Sequence, residues 1–192
     1  MSNTVLSSEA RVLRWLIGHY VANRLWQNKL RIPDKLVNDE PLALVYGPDL
    51  PDAFTRALDM FIEGNDSSLD ALILKLPQIK ADIQECIIEV NREGLTYGDI
   101  TWGRMVAVAA LLAKLAPKCI HSEIPELLVQ LVEHVAVLSD EHLAHFIRDN
   151  GGWYTFARAF PKKPERDRGW FRHLIRRTIQ GTCAFGGFTD TM

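Results

Sequence analysis

Cysteine is scarce and poorly spaced for a covalent framework. Cys86, Cys119 and Cys183 are three, an odd number at wide intervals, which argues against a disulfide scaffold and against a paired-cysteine metal site. A reducing, intracellular setting is the simpler reading. Excess charge of one sign is missing too: a net charge of −2 gives no whole-chain field to recruit nucleic acid or an acidic membrane. The longest uninterrupted apolar run, Met105 to Ala113, is about half of the ~18 residues a membrane span needs. The N-terminus lacks the basic-then-apolar build of a signal peptide, and Thr182 to Phe188 is too short and glycine-rich to anchor the chain. The sequence reads as a soluble one. Signatures of catalysis are absent as well. There is no Gly-rich phosphate loop, no metalloprotease helix, no nucleophile elbow and no acid pair placed with a nucleophile. The expectation is a protein that is not an enzyme and needs no cofactor.

What is present is the composition of a globular domain, 47% apolar and 24% charged over 192 residues, enough for one substantial core in a single domain spanning 1–192. Periodicity is helical nearly everywhere, with no convincing alternating strand. Val12, Leu16, Ile17, Tyr20 and Leu25 form a stripe between Ser8 and about Gln27, beside a polar face of Arg11, Arg14 and Arg24. An irregular loop follows over about 31–50; the stretch from Pro33 to Pro51 holds four prolines and a glycine. Pro51 suits the first turn of a helix that stops at Gly64 and Asn65. Ser67 and Ser68 can cap a short helix through Leu76, and another runs from Pro77 to about Glu93. Thr101 caps the next, closed by Pro117. Ser122 caps a long helix through Arg148, Gly151 and Gly152 turn into a short one from Trp153 to Phe160, and Asp167 opens a last one to about Gln180. The fold class is all-α, about eight helices. The helix from Trp102 is apolar on nearly every face until Lys114, so it must be surrounded. A central apolar helix wrapped by amphipathic ones follows.

Two tryptophan motifs stand out. Thr101-Trp102-Gly103-Arg104 opens the central helix, preceded by Glu93-Gly94-Leu95. Asp149-Asn150-Gly151-Gly152-Trp153-Tyr154-Thr155-Phe156 comes about two helices later. With the helix order, these resemble the first and second homology motifs of the Bcl-2 apoptosis regulators, over about residues 8 to 180. Leu50, Phe54, Ala57, Asp59 and Phe61 resemble a degenerate third motif in spacing, and Val12 to Tyr20 resembles the N-terminal motif as an amphipathic pattern. The chain departs from the family in two places. The stretch from Gly94 to Trp102 is a few residues longer than usual, and Leu58 stands where the family has a small residue before its Asp. Leu58 should block close approach of another protein's helix, so this segment is expected to build groove wall rather than serve as an exported death ligand.

The resemblance implies a hydrophobic groove that takes a BH3-type amphipathic helix from pro-apoptotic partners, with survival promoted by sequestration. The alternative is a pore-forming effector of the same fold that permeabilises the mitochondrial outer membrane; Asn150 before Gly151-Gly152-Trp153, and Tyr154-Thr155-Phe156 after it, resemble the survival branch more. Arg104 is the leading candidate, a guanidinium that pairs with an Asp on the bound helix; the alternative is a bridge to a carboxylate of its own chain. Gly103 would let a ligand helix come close. Trp102, Trp153 and Gly152 fix the two helix starts. Phe61, Ile87, Val90, Ala107, Leu111 and Phe160 match lining positions but could equally be plain core, and Leu50 and Phe54 lean toward core. Met105 to Ala113 can be read as a membrane-insertion hairpin or as the central core helix, and Lys114, Glu123, Glu126 and Glu133 favour the core. His134, His142 and His145 lack a fourth ligand at metal spacing and read as a solvated face. The basic residues Lys162, Lys163, Arg166, Arg168, Arg172, Arg176 and Arg177 read as solvated surface, or as a contact for anionic lipid beside an absent C-terminal anchor at the mitochondrial membrane. Cys86 and Cys119 read as inert buried thiols.

Overall fold

The computed structural model describes residues 6–37, 45–75, 85 and 100–160. Among them five helices are bounded, α1 (Ser8–Gln27), α2 (Asp49–Lys75), α3 (Trp102–His121), α4 (Pro125–Asp149) and α5 (Gly152–Ala159), and no strand occurs. The all-α class expected from periodicity is present. The helices expected over 77–93 and 167–180 lie outside the described residues.

α3 is the axis. Twelve of its 20 residues are buried, from Gly103 to Cys119, because its sequence is apolar apart from the narrow stripe of Arg104, Lys114 and Lys118. α1, α2 and α4 each pack against it, and α5 packs on α2 and α4. One apolar cluster runs through all five helices.

α1 departs from the simple stripe. Every residue from Val12 to Gly18 is buried, including Arg14, which was expected on a polar face. Arg14 is 8% exposed; its Nη2 donates to Glu133 Oε1 on α4 at 3.1 Å and to the Lys35 carbonyl at 3.2 Å. The cause is the segment after α1, which folds back over the helix and buries Leu36 completely. Gly18 permits this crossing, since a Cβ there would run into the Leu36 carbonyl. A buried arginine is tolerable only because it is paired and hydrogen-bonded.

α2 is two helices joined at a kink. The first ends where the sequence reading stops it, at Gly64 and Asn65, with Asn65 non-helical at φ −132° and ψ 15°, and the second runs on to Lys75; Asn65 Nδ2 donates to the Phe61 carbonyl at 2.8 Å at that junction. Other boundaries differ from the sequence reading. Pro117 does not end α3. The ring costs one backbone hydrogen bond, but Leu115, Ala116 and Cys119 are buried around it, and that packing carries the helix on to His121. Ser122 is not the cap of α4 either. Ile124 occupies that position without a side-chain cap, and Pro125 starts the helix.

The reason lies in how α3 ends. Glu123 N donates to the Ile120 carbonyl at 3.1 Å and Ile124 N to the Cys119 carbonyl at 2.9 Å, with Glu123 left-handed at φ 57°. α1 ends the same way, through Lys29 at φ 58° and bonds to Trp26 and Leu25. Both are Schellman turns, which favour glycine at the left-handed position. Lys29→Gly and Glu123→Gly are therefore expected to stabilise the protein by about 0.5–1 kcal/mol each, the relief of side-chain strain exceeding the added backbone entropy. Urea denaturation of the two variants checks this.

Candidate functional site

The site is assembled at the start of α3. Thr101, extended at φ −134° and ψ 157°, accepts a hydrogen bond from the Arg104 N–H at 3.1 Å through its Oγ1. This cap fixes the first turn, in which Gly103 is buried while Trp102 and Arg104 are half-buried. Ala107, Lys114 and Lys118 continue the half-buried stripe at helical spacing, and Leu111 between them is 3% exposed. The far half of this stripe is tied to α2. Lys114 Nζ lies 2.7 Å from both Asp66 and Asp70, and Lys118 Nζ donates to the Ile73 carbonyl at 3.2 Å. Burial opposes the Lys114 charge, but the bonds to the two carboxylates outweigh it and hold the ammonium above its ordinary value.

The second tryptophan motif forms the corner between α4 and α5. Gly151 and Gly152 take two successive left-handed conformations, φ 81° and 74°, which explains the glycine pair. At Gly151 a Cβ would also stand 2.5 Å from Thr155 Oγ1, and that hydroxyl donates to the Gly151 carbonyl at 3.0 Å. Asn150 Nδ2 donates to the Phe146 carbonyl at 2.8 Å. The corner delivers Trp153, 4% exposed, and Phe156, fully buried, to the start of α3.

There the two motifs meet as one aromatic joint. The Trp102 ring centroid lies 4.8 Å from Phe146, 5.2 Å from Phe156 and 6.0 Å from Trp153. Phe156 in turn contacts Phe160 at 4.8 Å, Phe54 at 5.9 Å and Trp153 at 6.0 Å. Most of these pairs are edge-on or tilted, the arrangement that ring quadrupoles favour. Arg56 of α2 closes the assembly, its Nε and Nη2 donating to the Phe160 carbonyl at 3.1 and 2.6 Å. A guanidinium at that position complements the carbonyl end of α5.

Of the residues singled out from sequence, Trp102, Trp153 and Phe160 are brought together by this joint, and Phe61 is buried at 6% exposure. Gly152 is half-buried at the corner. Ile87 and Val90 lie outside the described residues, as do Cys86 and the basic C-terminal stretch. Phe156, Phe146 and Arg56 were not singled out, although aromatic residues at 153, 156 and 160 follow helical spacing and marked one face of α5. Leu50, Phe54, Ala57 and Leu58 of the third motif are all buried. Its Asp59 accepts a hydrogen bond from Tyr20 on α1 at 2.6 Å. Burial, and then this bond, raise the Tyr20 phenol well above its ordinary value. Among the described residues no group of His, Cys, Asp and Glu is arranged to hold a metal ion, and no helix is long and apolar enough to cross a membrane.

An all-helical globule around a buried axial helix, with its two tryptophan turns locked together, defines the class of protein. The family model described as apoptosis regulator proteins, Bcl-2 family, matches residues 54–153, from Phe54 to Trp153, both members of the aromatic joint. The chain belongs to the Bcl-2 family. It is 27% identical to human Bcl-2-like protein 1 over 111 residues, 54% of this chain and 45% of that protein. To mouse apoptosis regulator BAX it is 28% identical over 107 residues, 53% of this chain and 55% of that one. The chain thus spans about half the length of the curated relatives it matches. Among solved structures it resembles Trichoplax adhaerens trBcl-2L2 bound to trBak BH3, with a TM-score of 0.65 at 20% identity, covering 80% of this chain and 100% of that one. It also resembles chicken BOK, with a TM-score of 0.61 at 18% identity over 79% and 96% of the two chains. The zebrafish pro-survival protein NRZ in its apo form gives 0.57 at 21% identity over 80% and 96%. At these identities the likeness is one of fold.

Two outcomes follow. Phe156→Ala, which removes the ring that joins α2, α3 and α5, is expected to lower unfolding free energy by about 3–5 kcal/mol, measurable by urea titration of the variant. Burial pushes the Cys119 thiol up to about 11, so thiolate is scarce at neutral pH. Peptide mapping after treatment with a thiol reagent at pH 8 should find Cys119 unmodified in the native protein and modified in urea.

Proposed function

We propose that this protein captures the amphipathic BH3-type helix of pro-apoptotic partners, in a groove floored by the half-buried face of α3, and thereby restrains apoptosis. The observation that carries this reading is the capped first turn of α3. It sets Arg104 beside a residue without a side chain, at the half-exposed start of an otherwise apolar helix. In the helix-in-groove mode, apolar residues at helical spacing supply most of the affinity. Arg104 would fix register and direction by pairing with an Asp of the ligand. Phe61, Ile87, Val90, Ala107, Leu111 and Phe160 are the lining candidates, with Gly103 allowing close approach and Trp102, Gly152 and Trp153 holding the frame. The complex of trBcl-2L2 with the trBak BH3 segment supports this mode for the fold. On this reading the protein acts inside the cell, in the cytoplasm, at the face of the mitochondrial outer membrane, or both.

The captor role is favoured over a pore-forming effector by the state of the third motif. Its apolar residues are spent on the protein's own core, Leu58 fills the position where a small residue would be needed, and Asp59 is bonded to Tyr20. The effector is the second reading. Calorimetric titration with pro-apoptotic groove-binding peptides separates the two. The captor should bind some peptides with dissociation constants on the order of nanomolar. Arg104→Ala should weaken binding about tenfold or more, the loss of a charge-assisted hydrogen bond of about 1.5–3 kcal/mol. Gly103→Glu should weaken it further, with circular dichroism unchanged in both variants. Unaltered affinity in both would refute the groove, and strong dye release from cardiolipin-containing liposomes would establish the effector.

A further inference from the structure

A cavity of about 440 Å³ opens where the start of α2 meets α5. Its size is that of a small-ligand site, and its walls are of two kinds. Tyr46, Trp153 and Tyr154 supply aromatic surface, and Arg56 and Arg158 supply positive charge. Arg56 uses Nε and Nη2 on the Phe160 carbonyl, leaving the Nη1 edge. The Arg158 guanidinium stands 5.8 Å from the centre of the Tyr154 ring. Among the described residues neither arginine forms an ion pair. The acidic residue in the lining, Asp49, sits in the first turn of α2, where the helix dipole favours a negative charge. Counted together, the cavity carries one net positive charge.

A further feature points to an occupant. Val45 and Tyr154, both in the lining, are 71% and 72% exposed, an apolar rim on which, among the described residues, the Arg158 guanidinium stands over the Tyr154 ring. An anionic oxygen answers the guanidiniums, and an apolar chain covers the rim. The Trp153 ring in the wall, whose buried Nε1 has no acceptor among the described residues, reports on the site.

We propose that this cavity binds a small amphiphile with a single anionic headgroup, carboxylate or phosphate, on an apolar tail. A polyanion is a poor match, because only two cations line the site and Asp49 stands among them. A neutral apolar ligand would leave both guanidiniums uncompensated.

The test is a heteronuclear NMR titration of the whole chain with decanoate and with dodecyl phosphate, below their micelle concentrations. Dodecyl maltoside serves as neutral control and inorganic phosphate as headgroup alone. A saturable shift of the Trp153 indole N–H is expected with the two anionic amphiphiles and not with either control. Arg158→Glu, a change at an exposed position, should weaken binding about tenfold or more, and Tyr154→Ser by several-fold, with circular dichroism unchanged. Sedimentation with phosphatidylcholine vesicles, with and without phosphatidate, identifies the source. Retention on the phosphatidate vesicles that Arg158→Glu abolishes marks a bilayer headgroup, and binding of the soluble amphiphiles without retention marks a free one. No saturable shift with either anionic amphiphile, an equal shift with the maltoside, or unchanged affinity in Arg158→Glu would overturn the proposal.

Discussion

A helix that is apolar on all but one narrow stripe cannot lie on a surface, and α3 is such a helix. Its burial removes from water the side chains on every flank but that of Arg104, Lys114 and Lys118, and the remaining elements are arranged around it. α1 lies along one flank, α2 along another and α4 along a third. Apolar burial of this kind is the dominant favourable contribution to folding, and it has no direction of its own. Direction comes from the ends of α3. The Thr101 cap sets where it begins, and the Schellman turn through Glu123 sets where it stops and how α4 departs.

The aromatic joint supplies what burial alone does not, a fixed angle between α3 and the α4–α5 corner. Trp102 and Trp153 lie 51 positions apart in sequence and share Phe156 as a common neighbour. The glycine pair at 151 and 152 is required because two consecutive left-handed residues bring Trp153 and Phe156 round to that point. Both tryptophan motifs are therefore structural before they are functional. They hold Arg104 and Gly103 in place at the mouth of the proposed groove.

Much of this was legible from the residues. The bounds of α1, the cap of α3 and the enclosure of its apolar run follow from local chemistry: hydroxyl side chains before helical periodicity, and a stretch with no polar side. Other features depended on tertiary packing. Pro117 carries a strong local signal to stop, yet the apolar contacts of Leu115, Ala116 and Cys119 keep the helix going. Arg14 looks like surface until the segment around Leu36 covers it. The pairing of Tyr20 with Asp59, and of Arg56 with the Phe160 carbonyl, joins residues 39 and 104 positions apart, and no pattern along the chain announces either. Within the candidate site, the frame was readable because its residues are distinctive, whereas the lining was not, because a groove wall and a core position ask for the same apolar side chains.

The two polar fastenings on α2 have a kinetic meaning. Asp59 is held by α1 and Arg56 holds the end of α5, while Ala57 and Leu58 between them and Phe54 just before are buried. Lifting this helix away would break contacts with the first and last described helices at once, and open the core around α3. Such an element belongs to the slowest-opening unit of a protein, whose amide hydrogens exchange with solvent only when the whole domain comes apart. The segment that most resembles a death ligand is thus the one this fold surrenders last.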